Sequence, residues 1–449
     1  MPNYLPLFLR QHIENRPRLQ KIIFNTGWLT LERVTRLGIG LLISVLVARH
    51  LGPEHFGILS YTLSIIAFLS TFVYLGLNGL VVRDIVRLPE EKEILLGTTF
   101  SLKFAGSMFA FIIIIAFSLL TRGTRDEEFW VLLVIGLSLF ASPFETIDLW
   151  FQSQVQSKFS VIAKSSAFLL AGALKALLVF LGASVIGIAV AYSLESVIAA
   201  ILLVFIYHFK GFSVCNWNTR SAKAKELLNQ SWILILSGFF SIINLRVDQV
   251  MLRWMSSAME VGVYSVAVTF SEVWYFIPTA IVMSAYPRLV ELKKTKTSEY
   301  DKRLQQIFDV LFTVSLLIAL AVTFIARPLI PFLYTDAYSS SASILIIHVW
   351  AGVFMFMRAL FSKWVFLEDA LIFSLISHCT GAAVNVSINF FLIPRFGGQG
   401  AAIATLISYA ASSYFFLFFY SKTRPLAVKM TRSFILPFRI IIYKGKVWI

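Results

Sequence analysis

The stretch SWILILSGFFSIINLRVDQVMLRW, residues 231–254, is an apolar segment that carries three ionisable side chains. About 20 helical residues cross a hydrocarbon core of roughly 30 Å, so the segment is long enough to span a bilayer. In lipid, Arg246, Asp248 and Arg253 would each cost on the order of a few kcal/mol unless a partner satisfied them. The segment therefore predicts a transmembrane helix whose charges are either paired or functional.

The rest of the chain has the same apolar character. Its 449 residues are 58% hydrophobic and 14% charged, and the mean hydropathy is +0.79. Soluble domains carry roughly 25% charged residues, so this composition predicts a membrane protein. Apolar segments of spanning length lie at 24–48, 57–78, 97–119, 129–150, 161–181, 185–207, 231–253, 262–285, 308–326, 343–366, 371–392 and 399–420. We therefore predict an all-α integral membrane protein with about 12 transmembrane helices.

The basic residues of the connections predict the orientation. With an even number of spans, both termini lie on one side of the membrane, and the connections on that side carry most of the Lys and Arg. The opposite side has only Arg49, Arg122, Arg125, Arg253, Arg327 and Arg395. The positive-inside rule then places both termini in the cytoplasm. The net charge of +15 is thereby explained by topology, and no nucleic-acid partner is expected.

A long polar connection divides the predicted spans into two sets of six. We predict an N-terminal half at 1–207, a basic cytoplasmic connection at 208–230, a C-terminal half at 231–420 and a basic cytoplasmic tail at 421–449. A shift of 205 residues aligns Gly57 with Gly262 and Ser60 with Ser265, which indicates an internal repeat. Two halves of the same orientation would be related by an axis along the membrane normal and would enclose a central cavity with the substrate site.

Five stretches carry a family resemblance. They are VARHLGPEHFGILSY (47–61), NLRVDQVMLRW (244–254), EVGVYSVA (260–267), AYPRL (285–289) and NVSINFFLIPRFGGQGAAIAT (385–405). Together and in order they resemble the Wzx-type polysaccharide and O-antigen flippases. These belong to the superfamily that also contains lipid II flippases and multidrug and toxin extruders.

The resemblance, which covers nearly the whole chain, implies a function. It implies movement of an oligosaccharide on undecaprenyl diphosphate from the inner to the outer leaflet of a bacterial cytoplasmic membrane, for synthesis of O-antigen, capsule or exopolysaccharide. Membrane lipids, a polysaccharide polymerase and a chain-length regulator are the further partners that it implies.

Such a substrate needs cations inside the membrane. Its diphosphate cannot cross hydrocarbon unaided, and arginine stays charged while binding phosphate oxygens in a planar fork. The candidate diphosphate ligands in the spans are Arg33, Arg36, Arg246 and Arg358. On a helical wheel Arg246 and Gln249 share a face, which we expect to line the cavity, whereas Asp248 points nearly opposite.

Four intramembrane carboxylates are candidate counter-ions or ion-coupling groups: Glu32, Glu195, Asp248 and Glu272. Glu32 lies four residues before Arg36 and can pair with it along the helix, which would leave Arg33 the less neutralised of the two arginines. Glu195 and Glu272 are either proton carriers during transport or the counter-ions of Arg36 and Arg246, and the sequence leaves both alternatives open.

Lysines and aromatic residues of the spans are the remaining candidates. Lys103, Lys164 and Lys175 lie near predicted helix ends, from which they are expected to reach the membrane surface. Trp274 and Tyr275 are candidates for stacking on a sugar ring, with packing inside the helical bundle as the alternative.

Enzyme signatures are missing from the sequence. It contains no GxxxxGK[ST], HExxH or GxSxG motif, and its two cysteines have no metal-ligand spacing. We therefore expect no catalytic residue, no cofactor and no metal site. An ion-coupled antiporter of the multidrug type, whose cavity should be acidic or neutral, and a lipid II flippase are the competing hypotheses. A membrane-embedded sugar polymerase is disfavoured by the short outer loops.

Overall fold

The computed structural model describes residues 17–121, 126–295, 297–436 and 439, and these residues form helices and turns without any strand. The α-helices are α1 (Pro17–Tyr74), α2 (Leu77–Arg87), α3 (Lys92–Thr121), α4 (Glu127–Leu137), α5 (Thr146–Ser153), α6 (Lys158–Phe180), α7 (Val185–Phe209), α8 (Ser221–Met255), α9 (Ala258–Glu272), α10 (Phe276–Thr295), α11 (Thr297–Tyr334), α12 (Ser341–His348), α13 (Ala351–Leu367), α14 (Leu371–Ser413) and α15 (Arg424–Phe434). The residues of the predicted basic tail beyond 439, and the predicted outer-loop residues Arg122 and Arg125, lie outside the described residues.

Two of these helices are interrupted by a glycine. The 58 residues of α1 would form a rod of about 87 Å at 1.5 Å per residue, far longer than a hydrocarbon core of roughly 30 Å. Gly52 (φ 71°, ψ 171°) breaks α1, and Gly397 (φ 53°, ψ −131°) breaks α14. Each helix therefore contains two of the predicted spans.

The helices confirm the predicted fold class. In the described part of the chain, nine helices are long and apolar enough to cross a membrane, or ten when the bent pair α12 and α13 counts as one span. Because α1 and α14 each hold two predicted spans, these helices account for the twelve predicted segments. The protein is an all-α, multi-pass membrane protein.

The chain folds into two compact units. Unit 1 comprises Met1–His50 and Leu69–Ile235, and unit 2 comprises Leu51–Phe68 and Leu236–Ile449. The change of unit after Ile235 falls inside α8, and the middle of α1 contributes to unit 2. No feature of the sequence predicts that the middle of α1 belongs to unit 2. The division of the chain into two halves, a connection and a tail stays a prediction.

In unit 1, apolar faces of α2, α3, α5, α6 and α7 form one core. Its fully buried members include Leu77, Val81, Leu95, Phe151 and Leu203. Burying a leucine or phenylalanine side chain contributes roughly 1.5–3 kcal/mol to the free energy of folding when the side chain would otherwise face water. In lipid, close packing between helices determines their relative positions.

In unit 2, α10, α11, α13 and α15 enclose a second core around Phe308, Phe356 and Phe361. The buried Asp309 of α11 accepts a hydrogen bond from Ser433 Oγ at 2.6 Å, which attaches α15 to that core. Many outward side chains are large and apolar, and Phe180, Phe209, Phe324, Phe332 and Phe419 are each at least 79% exposed. Such exposure suits a hydrocarbon solvent rather than water.

A close helix crossing in unit 2 explains two of the family-like motifs. A Cβ at Gly57 would lie 1.7 Å from the carbonyl oxygen of Ala258, and one at Gly262 would lie 1.9 Å from that of Pro53. The two glycines that the proposed repeat aligns therefore face each other where α1 crosses α9. Only glycine permits this approach, which joins the middle of α1 to unit 2.

Candidate functional site

A cavity of about 310 Å³ lies within unit 1. Its charged lining side chains are Glu32, Arg36, Glu145, Lys164 and Glu195, joined by Ser142 and Ser196. α1, α6, α7 and the 3-10 segment Ser138–Glu145 position these groups. The cavity is thus a polar chamber inside otherwise apolar membrane helices, and its lining mixes two cations with three carboxylates.

Arg36 is a partly exposed cation of this lining. Its Nη1 donates to Glu195 Oε1 at 2.9 Å, and its Nη2 donates to the backbone carbonyl of Lys164 at 3.2 Å. Glu32 Oε1 lies 3.7 Å from Nη2, which is the pairing along the helix that the sequence suggests. The guanidinium also lies 4.7 Å from the centre of the Phe168 ring, and the side chain is 38% exposed. Arg36 can therefore meet an anion in the cavity.

Glu195 holds two cations at once. While Oε1 accepts from Arg36, Oε2 accepts from Lys175 Nζ at 3.0 Å. The Lys175 side chain is only 4% exposed, and its Nζ lies 3.6 Å from the centre of the Tyr192 ring. The expectation that Lys175 reaches the membrane surface is wrong, because the lysine is buried against a carboxylate on the neighbouring helix.

Lys164, which the sequence also predicts to reach the membrane surface, instead lines the cavity. Its Nζ lies 2.6 Å from Asp148 Oδ2, which places a second ion pair at the wall. Lys103 is fully buried and donates to Asn78 Oδ1 at 3.1 Å, so it does not reach the surface either. One feature of the sequence could have predicted the pairing of Lys175 with Glu195. The two residues lie on consecutive helices, α6 and α7, which form a hairpin and can bring a lysine and a glutamate together.

In unit 2, Arg246 is paired with Glu272. Its Nη2 donates to Glu272 Oε2 at 2.9 Å and its Nη1 to Oε1 at 3.5 Å. This bidentate contact joins α8 to α9. The two side chains are 30% and 20% exposed. Of the two alternatives that the sequence leaves open, the contacts of Glu195 and Glu272 are those of counter-ions to Arg36 and Arg246.

Asp248 lies apart from Arg246, as the helical wheel indicates. The carboxylate is 2% exposed and accepts hydrogen bonds from Tyr264 Oη at 2.7 Å, Asn389 Nδ2 at 2.5 Å and Thr405 Oγ1 at 2.5 Å. These donors come from α9 and from both parts of α14. The family-like motifs of 244–254, 260–267 and 385–405 thus meet at one buried carboxylate that neutral groups surround.

Gln249 departs from its expected place. The side chain is buried, its amide donates to Ser265 Oγ at 3.1 Å, and its oxygen accepts from Ser64 Oγ. The expectation that Gln249 lines a cavity beside Arg246 is wrong, because the shared face of α8 packs against α1 and α9 within unit 2.

The other predicted ligands have distinct surroundings. Arg33 is exposed. Arg358 is 6% exposed and lines a separate cavity of only about 20 Å³. Trp274 and Tyr275 pack against the core of unit 2, as the alternative of packing inside the helical bundle predicts for both. Stacking of these rings on a sugar stays a prediction. No group of three His, Cys, Asp or Glu suited to a metal ion occurs in the part of the chain that the structure describes.

Comparison with known proteins gives the family. Residues 22–293 match the family described as polysaccharide biosynthesis protein. The chain belongs to this family. A search of curated protein sequences found no match.

Solved structures share the fold of this polysaccharide biosynthesis family member. A lipid II flippase, MurJ, in an inward closed conformation superposes with a TM-score of 0.70 at 15% identity, over 94% of this chain and 93% of the other. An inward-facing multidrug resistance MATE family transporter gives a TM-score of 0.66 at 14% identity, over 93% and 99%. A superfamily transporter from Pyrococcus furiosus, described as having a binding pocket of reversed polarity, gives 0.54 at 15% identity, over 93% and 94%. At these identities the likeness is one of fold.

Proposed function

We propose that the protein is a flippase that moves an undecaprenyl-diphosphate-linked oligosaccharide from the inner to the outer leaflet of a bacterial cytoplasmic membrane. The observation that carries the proposal is Arg36, a partly exposed guanidinium in a polar chamber of a family member whose helices span the membrane. The fold likeness to a protein described as a lipid II flippase is consistent with a flippase.

The contacts of Glu195 suit binding of a phosphate by Arg36. An incoming phosphate would compete with Glu195 for the guanidinium, and the released carboxylate oxygen would face an anion. Lys175 stays on the other carboxylate oxygen at 3.0 Å, so Glu195 would keep one cation throughout the exchange. The exchange replaces one charge-assisted contact with another, which keeps its cost low.

Arg33 and Arg246 are proposed to contact the head group as it moves through the protein. Arg33 is exposed and close in sequence to Arg36, and Arg246 keeps 30% of its side chain accessible while it pairs with Glu272. Each can exchange a carboxylate or solvent for a phosphate oxygen.

Energy for directional movement is proposed to come from an ion gradient. Asp248 is the proposed coupling group, because its described partners are neutral donors and its charge can be balanced by a proton or a cation. Glu32, Glu195 and Glu272 are assigned as counter-ions of the arginines.

Deletion of the gene in its host tests the substrate. The flippase proposal predicts that lipid-linked oligosaccharide accumulates in the inner leaflet, measured by its inaccessibility to an impermeant glycosidase in intact spheroplasts. Unchanged lipid intermediates would contradict it. Accumulation of lipid II instead would assign the lipid II alternative.

One observation favours a second candidate, an exporter of organic cations. The chamber wall has three carboxylates, Glu32, Glu145 and Glu195, which suit a cationic solute. This alternative predicts that deletion raises sensitivity to cationic dyes and leaves the lipid-linked sugars unchanged, so the same strains distinguish the two functions.

Both termini are proposed to lie in the cytoplasm. Reporter fusions after Lys225 and after Arg303 should be cytoplasmic, and a fusion near Asp336 should be periplasmic. A periplasmic C-terminal fusion would require an odd number of spans and would remove the proposed two halves.

A further inference from the structure

Arg358, on α13, is a buried cation without a carboxylate partner. Its side chain is 6% exposed, and Nη1 donates to Ser377 Oγ at 3.0 Å and to Ser413 Oγ at 3.4 Å. The other terminal nitrogen, Nη2, is buried and has no hydrogen-bond partner. Among residues 17–121, 126–295, 297–436 and 439, no carboxylate lies within ion-pair distance. A guanidinium stays charged in proteins, and an uncompensated buried charge is costly.

The cavity of about 20 Å³ adjoins this guanidinium. Its polar lining groups are Ser241, Asn244, Arg358, His378, Tyr409 and Ser412, and it includes no Asp or Glu. The Tyr409 hydroxyl and the His378 ring make no hydrogen bond to any described residue, so both are available as donors. A guanidinium, a phenol and an imidazole thus surround a space that no carboxylate enters.

The amide oxygen of Asn244 is a buried acceptor in the wall. It has no hydrogen-bond partner, and it lies against the backbone of Gly381. The amide nitrogen donates to the carbonyls of Phe240 and His378, each at 3.0 Å, which fixes the amide orientation. A water molecule could satisfy Asn244, but it would leave the charge of Arg358 without a counter-ion.

We infer that this cavity binds one small monovalent anion of the halide class, with Arg358 as its counter-charge. A site needs roughly 10–15 Å³ to hold one water, so about 20 Å³ leaves room for a single ion that is little larger than a water molecule. A diphosphate does not fit that space. Arg358 therefore has a role separate from the transported substrate: the bound anion stabilises the packing of α13 on α14, to which Arg358 is already bonded through Ser377 and Ser413.

The purified full-length protein in detergent tests this site. Thermal unfolding is measured in sodium chloride and in sodium gluconate at constant ionic strength, because gluconate is too large for the cavity. At ten times the dissociation constant, chloride should raise the unfolding midpoint by roughly 1–2 °C, and the rise should saturate. Bromide should replace chloride, and its anomalous diffraction signal should lie beside Arg358.

Two variants tie the effect to this cavity. Arg358→Gln should abolish the difference between chloride and gluconate. Tyr409→Phe keeps the ring and the arginine, and it should increase the halide concentration needed for half of the shift several-fold, which tests the site even if Arg358→Gln does not fold. Arg288→Gln removes an exposed arginine of the same unit, paired with Glu291, and should keep the full halide response.

Equal unfolding midpoints in chloride and gluconate would overturn the inference and assign the cavity to water. A halide response that survives in Arg358→Gln, or that is unchanged in Tyr409→Phe, would also overturn it, because the ion would then bind elsewhere.

Discussion

Replacing Arg36 by glutamine should abolish transport while leaving the protein folded. Glutamine removes the positive charge and keeps a polar, though shorter, side chain. Glu195 would lose one cation and retain Lys175 at 3.0 Å, and Glu32 would lose only the longer contact of 3.7 Å. We therefore expect this substitution to change substrate binding and folding stability to different extents.

The two effects differ in size. A charge-assisted hydrogen bond to a phosphate contributes about 1.5–3 kcal/mol, which corresponds to roughly ten- to hundredfold in affinity. The Arg36 side chain is 38% exposed, and ion pairs with that much solvent contact contribute less than about 1 kcal/mol to stability. The loss of substrate affinity should therefore exceed the loss of folding stability.

The assay is transfer of a lipid-linked oligosaccharide across proteoliposomes, combined with thermal unfolding of the same preparation. Arg36→Lys keeps the charge without the planar fork and should retain partial transport. Glu195→Gln serves as the matched control, because it leaves Arg36 free to bind phosphate and tests the proposed exchange. Wild-type transport by Arg36→Gln would refute the assignment, as would a failure due only to loss of the protein from the membrane.

The contacts also predict three other outcomes. Arg246→Ala should lower both the transport rate and the unfolding midpoint, because Glu272 has no second cation among the described residues. The double variant Arg246→Ala/Glu272→Gln should recover the midpoint but not transport. Asp248→Asn should lower the free energy of unfolding by about 1–3 kcal/mol, because an amide cannot accept all three hydrogen bonds, and it should also remove the gradient dependence of transport. Unchanged gradient dependence in this variant would contradict the proposed coupling role of Asp248. Gly57→Ala should prevent accumulation of the protein, whereas Gly79→Ala, whose new methyl group would meet nothing within 4 Å, should accumulate normally, as membrane immunoblots would show.

The lengths of the apolar segments were sufficient to predict the fold class. Backbone groups in lipid must form their hydrogen bonds within a helix, so each span is helical. A helix of about 20 apolar residues matches the thickness of the hydrocarbon core. The helical wheel likewise separated Arg246 from Asp248 correctly, since both belong to one regular helix whose geometry is local.

Partners on different helices could not be read from the sequence. The choice of Glu195 for Arg36, the burial of Lys175 and the packing of Gln249 all depend on which helix faces lie together. In an apolar sequence many faces are equivalent in hydrophobicity, so the pattern does not specify the rotation of one helix against another. Nor did it predict that the middle of α1 joins unit 2.

The sequence by itself determined that this chain crosses the membrane many times and carries arginines inside the spans, because length, hydropathy and charge are properties of each segment alone. Only the tertiary structure decided which of those arginines have a carboxylate beside them. Arg36 and Arg246 do, and Arg358 has none within the described residues. The reason is physical: the energy of a charge in a low-dielectric interior depends on the few ångströms around it, and those distances are set by helix packing.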